Sequence, residues 1–216
     1  MFPSWDFTQL YELHQQSRDI DSSDVLQTKL RYFVEFHTQI IHQRHLAYAR
    51  LQAFDPGFIA LYEDAVAWAL TLCEPGGEKA YAEHLTYLTR PDEPSQRLAV
   101  SLKGLAASLD HPIALYDLAL IDIENERGFV RRVGVFRLWI AANTGYLPAQ
   151  EELADVYAEG LAVSRDPARA YYWYVRAQRN GASVFDRVQN LAADMLPEAR
   201  AKADAWLLGS EVPSAR

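Results

Sequence analysis

The chain has 216 residues, of which 50% are hydrophobic and 23% charged, and carries a net charge of −8. This is ordinary globular composition, enough for one domain or two small ones. The acidic balance argues against generic binding to nucleic acid or to an anionic membrane, both of which need clustered cations. The single cysteine, Cys73, excludes an internal disulfide and fits a reducing compartment. The start, MFPSWDFTQLYELHQQ, lacks the basic residues and apolar run of a signal peptide. No uninterrupted apolar stretch of about 18 residues suggests a membrane span. A soluble, cytoplasmic protein is the expectation.

In chain order, Ser4 is placed to cap a first helix ending near Arg18, with Phe7, Leu10, Tyr11 and Leu13 inward. Ser23 opens a second that runs to about Phe54 unless a turn interrupts it near Gln43–His45; about thirty residues at 1.5 Å each give roughly 45 Å. Asp55-Pro56-Gly57 marks a stop and a new start. Residues 58–73, FIALYEDAVAWALTLC, are apolar on most sides and are expected at the centre of the fold. A turn at Glu74–Gly77 precedes a helix over 78–90 with Tyr81, Leu85 and Leu88 inward. Pro91–Pro94 form a break, and a helix over 95–109 follows.

The most informative stretch runs from Gly145 to Gly181, which lie 36 residues apart. Ala149, Leu153, Val156 and Tyr157 form one helical stripe, and Gly160 stops that helix. Asp166-Pro167 restarts the chain with a cap and a proline at the first helical position. Ala170, Trp173, Tyr174 and Ala177 form a second stripe that Gly181 ends. Residues 112–145 repeat the pattern less well: Ala114 and Leu118 stand 35 residues before Ala149 and Leu153, and Ala141 stands 36 before Ala177. There Gly128 is displaced and the loop aspartate is missing. After Gly181, VFDRVQNLAADML and LPEARAKADAWLL predict a final helix pair with a shortened loop, the end unit a repeat array needs. Residues 211–216 are expected to fray.

The segment resembles a Sel1-like repeat, a relative of the tetratricopeptide repeat, through Ala149, Leu153, Tyr157, Gly160, Val163, Asp166, Ala170, Trp173, Tyr174, Ala177 and Gly181. It departs from that pattern at Ala162 (a second glycine in the family), Arg169 (a lysine) and Gln178 (an alanine). The resemblance implies stacked antiparallel helix pairs and a protein-binding role, in a bacterial setting. The expected fold is an all-α, right-handed α-solenoid of Sel1-like or TPR-like helix pairs. Residues 1–109 would form a helical N-terminal region, itself degenerate repeats or a distinct domain. Residues 110–216 would carry the repeats and a C-terminal capping pair.

Catalytic signals are weak. His42 and His45 share a helix face, but no acid or cysteine stands at a spacing that would complete a zinc site, so they read as solvated histidines. His37 reads as a core residue, and His111 before Pro112 as a structural residue of the inter-repeat turn. Cys73 lies in the most apolar segment, where a thiol is inert packing rather than a nucleophile. No nucleophile elbow, phosphate-cradling loop or His-Glu-x-x-His appears. Tyr171, Tyr172, Trp173 and Tyr174 read as core lining before ligand stacking. Neither metal nor cofactor is expected.

Charge, however, is sorted by helix. The first helices of the two clearest repeats carry Asp117, Asp122, Glu124, Glu126, Glu151, Glu152, Asp155 and Glu159, and the second carry Arg131, Arg132, Arg137, Arg169, Arg176 and Arg179. One reading is an acidic concave wall with a basic back; the other is cross-helix salt bridges of little worth. The expected function is non-enzymatic binding of a protein or peptide, as an adaptor, scaffold or regulator. The partner would carry Lys or Arg and meet Asp117, Asp122, Glu151, Glu152 and Asp155 over an apolar floor of Tyr116 and Tyr157. An immunity or chaperone-like role is the alternative within that class. A metal-dependent or Cys-based hydrolase is the alternative from another.

Overall fold

The computed structural model describes residues 56–209 and Pro213. The expectations for the two N-terminal helices, for His37, His42 and His45, and for the turn near Gln43–His45 lie outside the described residues. Among the described residues all regular structure is helical: α1 (Pro56–Thr71), α2 (Glu78–Leu88), α3 (Glu93–Ser108), α4 (Pro112–Ile123), α5 (Gly128–Asn143), α6 (Leu147–Glu159), α7 (Pro167–Arg179), α8 (Phe185–Asp194) and α9 (Pro197–Leu207). The chain divides into two compact units, Met1–Leu109 and Asp110–Arg216. No described helix is long and apolar enough to cross a membrane.

In the first unit, α1 buries Ala65 and Ala69, while Ala60, Asp64, Ala67 and Thr71 form an exposed stripe at helical spacing and Leu70 is 59% exposed. The helix therefore has a solvent face, contrary to the expectation that it is apolar on most sides and central. Cys73 lies beyond its last turn and is exposed, so the reading of it as buried packing is corrected. In α2 the inward residues are Ala80, His84 and Tyr87, not Tyr81, Leu85 and Leu88; the two leucines are 48% and 49% exposed. The helix is rotated so that small Ala80 and the polar His84 meet α3. His84 Nδ1 donates to the Ala99 carbonyl at 2.7 Å, which satisfies a buried imidazole. Pro94 does not break the chain. Asp92 accepts from Ser95 N at 2.9 Å, and proline is tolerated in the first turn that this cap opens.

In the second unit the hairpins α4–α5 and α6–α7 are antiparallel, and α5 packs on α6. His111 caps α4 by accepting from Ala114 N at 3.3 Å and is buried. Gly160 ends α6 with φ 79°, and Asp166 caps α7 through Arg169 N at 3.0 Å, both as the sequence predicts. Gly128 is no stop signal: α4 ends earlier, at Ile123, and Gly128 starts α5 behind Arg127, which provides no side-chain cap. The end pair α8 and α9 packs on α7. Trp206 meets Tyr172 edge-on at 6.2 Å, and the Arg200 guanidinium lies 4.1 Å from the Tyr171 ring centre. Of residues 211–216 only Pro213 is described: it is buried, and its carbonyl accepts from Trp139 Nε1 at 2.8 Å.

A period runs through three successive hairpins. Ala80, Ala114 and Ala149 hold one position of each first helix, and Ala99, Gly134 and Ala170 one position of each second helix; Ala106, Ala141 and Ala177 follow a turn or two later, and all are buried. After each second helix the backbone turns left-handed, at Asp110 (φ 65°), Gly145 (φ 95°) and Gly181 (φ 102°). The repeated small residues let two helices approach closely. At Gly134 an added Cβ would fall 2.8 Å from Ala119 O and 2.9 Å from both Asp122 Cβ and Ile123 Cγ1. The regularity thus includes α2 and α3, in the region for which the sequence leaves degenerate repeats and a distinct domain both open.

Candidate functional site

The acidic residues divide into those the fold neutralises and those it leaves. Asp122, on the last turn of α4, forms an ion pair with Arg137 of its own hairpin. Asp155 of α6 accepts a hydrogen bond from the Tyr174 hydroxyl of α7 and pairs with Arg187 of α8, Nη1 to Oδ2 at 2.8 Å. Burial raises the Tyr174 phenol well above its ordinary value, and its bond to the Asp155 carboxylate raises it further. The Asp155 charge holds the Arg187 guanidinium more firmly protonated. Both aspartates are therefore parts of the scaffold.

Glu151 and Glu152 make no ion pair or hydrogen bond among the described residues. Burial pushes the Glu152 carboxyl above the usual carboxylate range; Asp155 and Glu159 push the same way, and Arg187 opposes them. Tyr116 of α4 packs edge-on against Tyr146, the residue before α6, with ring centres 5.5 Å apart. Burial raises the Tyr116 phenol, followed by the negative charges of Glu152, then Tyr146, Asp117 and Glu151. Burial and then Asp117 raise Tyr146. Those electrostatic couplings gather Tyr116, Asp117, Tyr146, Glu151 and Glu152 into one half-buried acidic and aromatic face across α4 and α6. Tyr146 has no place in the helical stripes from which the sequence reading proceeds; its position at the mouth of the inter-hairpin turn is the signal that marks it.

Tyr157 does not share this face. It is 1% exposed, stacks beneath the Arg169 guanidinium at 5.4 Å, and lines a cavity on the arginine side of the unit. Leu153 and Trp173 are fully buried, and Tyr171, Tyr172 and Tyr174 are buried beside them, as core aromatics. Among the described residues no group of three or more His, Cys, Asp and Glu side chains is placed to hold a metal ion. No protein-family model matches the chain, and a search of curated proteins returns no match.

Proposed function

We propose that this chain is a non-enzymatic protein-interaction module, an α-solenoid of Sel1-like hairpins that takes a basic segment of a partner protein on the α4–α6 face. The observation that carries the reading is that Glu151 and Glu152, near two half-buried tyrosines, make no ion pair or hydrogen bond among the described residues, with Arg187, already paired to Asp155, acting on them only at longer range. Holding neighbouring carboxylates together without an ion pair of their own costs stability, and a Lys or Arg side chain would relieve that cost on binding. The tyrosines add apolar area and faces suited to cations. The left-handed backbone at Ala162 (φ 64°) supports the Sel1-like assignment, because the family pattern has glycine at that position. A repeat stack would present successive first helices to one extended partner.

The test is fluorescence anisotropy with a fluorescein-labelled peptide of alternating lysine and alanine. Binding should weaken steeply with salt, and Glu151→Lys with Glu152→Lys should lower affinity by about tenfold or more. Unchanged affinity in a double variant whose circular dichroism matches the parent rejects the face. Metal analysis and an esterase and phosphatase screen of the purified protein address the hydrolase alternative.

A further inference from the structure

The same unit carries a second site of opposite charge. Arg131 and Arg132 of α5, Arg165 of the α6–α7 loop and Arg169 of α7 line one cavity of about 1000 Å³ together with Trp139 and Tyr157. The one carboxylate among the described lining residues, Asp166, is already taken: it accepts from Arg169 N and from Arg169 Nη1, each at 3.0 Å. Arg131 Nε donates to the Ile123 carbonyl at 3.1 Å, and Arg165 Nε to the Ala158 carbonyl at 3.0 Å. Those acceptors are neutral, and among the described residues neither guanidinium makes an ion pair. Arg132 is exposed and has no ion pair or hydrogen bond among the described residues. In a chain of net charge −8, this is a concentrated patch of the minority sign.

Beyond the charge itself, buried polar atoms of the lining point to an occupant. Among the described residues the Tyr157 hydroxyl and Arg169 Nε are buried with no hydrogen-bond partner. Buried polar groups in folded proteins are nearly always satisfied, so two orphans in the lining of one cavity mark donors that await an acceptor. Trp139, also in the lining, is already satisfied by this chain, since it donates its indole N–H to the Pro213 carbonyl at 2.8 Å. Beside Trp139, Phe136 lies with its ring nearly parallel, at 12° and 6.1 Å, and is 51% exposed.

We propose that this cavity binds a peptide segment rich in Asp and Glu. Guanidinium groups present paired N–H donors that match a carboxylate in shape and charge. The Tyr157 hydroxyl and Arg169 Nε supply further donors, and Phe136 offers a wall for an apolar residue between the acids. The cavity, at about 1000 Å³, is larger than one carboxylate or phosphate needs, which favours a polypeptide over a small anion. The site lies on residues separate from the α4–α6 face, so either reading stands or falls alone.

The full-length protein is titrated into a fluorescein-labelled peptide of alternating glutamate and alanine, with ATP titrated in parallel as a compact polyanion. The peptide should bind and be released by salt, and Arg132→Glu and Arg165→Glu should each weaken it by about tenfold. Tyr157→Phe should weaken binding severalfold while leaving the melting temperature equal or higher, because it removes an unsatisfied hydroxyl. Absence of peptide binding, or equal affinity in both arginine variants, overturns the proposal. ATP binding without peptide binding overturns it in favour of a nucleotide or phosphate site.

Discussion

Two glycine-to-alanine substitutions in second helices should shift stability in opposite directions. Gly104 lies inside α3, is exposed, and an added Cβ would meet nothing within 4 Å. Alanine there removes backbone entropy from the unfolded chain at no steric cost and should stabilise by roughly 0.5–1 kcal/mol. Gly134 lies inside α5 and receives the same propensity gain. Its Cβ, however, would enter 2.8 Å from Ala119 O and 2.9 Å from Asp122 Cβ and Ile123 Cγ1. None of these is the free end of a flexible side chain, so α4 and α5 must move apart, disturbing the Asp122–Arg137 ion pair as they do. Overpacking of this kind costs about 1–3 kcal/mol, and contact with rigid atoms of the facing helix places the cost toward the upper end. After the propensity gain, Gly134→Ala should lose about 1–2 kcal/mol. At roughly 2–4 °C per kcal/mol for a chain of this size, the two variants should separate by several degrees. Urea and thermal unfolding followed by circular dichroism would measure both. Stabilisation of Gly134→Ala to the same extent as Gly104→Ala would refute the close approach of α4 and α5.

Ala162 holds φ 64°, a conformation that costs a residue with a Cβ about 1 kcal/mol, so Ala162→Gly should leave stability equal or raise it by up to about that amount in the same unfolding experiment. The Glu152 carboxyl is raised in the folded state, chiefly by burial, so its charge opposes folding. Its contribution to stability falls as pH rises from the unfolded carboxyl value through the raised folded value, because the folded state keeps the proton longer. Glu152→Gln should therefore be more stable than the parent at neutral pH, with the gap closing below the ordinary glutamate range; a gap that widens on acidification would contradict this. Asp92 shifts the other way, lowered first by the Ser95 backbone N–H it caps. Its contribution is present above the unfolded carboxyl value and is lost as pH falls through the lower folded value, so Asp92→Ala should cost about 1 kcal/mol near neutrality and less in acid.

What the sequence determined by itself is local. The stop at Gly160, the Asp166-Pro167 start, the burial of Leu153, Tyr157 and Trp173, and the final pair α8 and α9 follow from caps and periodicity that act within a few residues. Phase was harder where two adjacent stripes were both apolar: in α2 the larger leucines suggested the wrong side, and the small residues that permit close packing decided it. The period through α2 and α3 was hidden because Asp110 stands where the later hairpins have glycine, and only the backbone angle makes them equivalent. Tertiary structure alone decided which charges remain available. Asp122 and Arg137 are 15 residues apart and Asp155 and Arg187 are 32 apart, so no helical spacing predicts their pairing. The same holds for the arginine cavity, drawn from α5, a loop and α7, and for Trp139 and Pro213, 74 residues apart. Sorting of charge along a sequence assigns sign to a helix, whereas partners across the packed interfaces decide where that sign is left to act on another molecule.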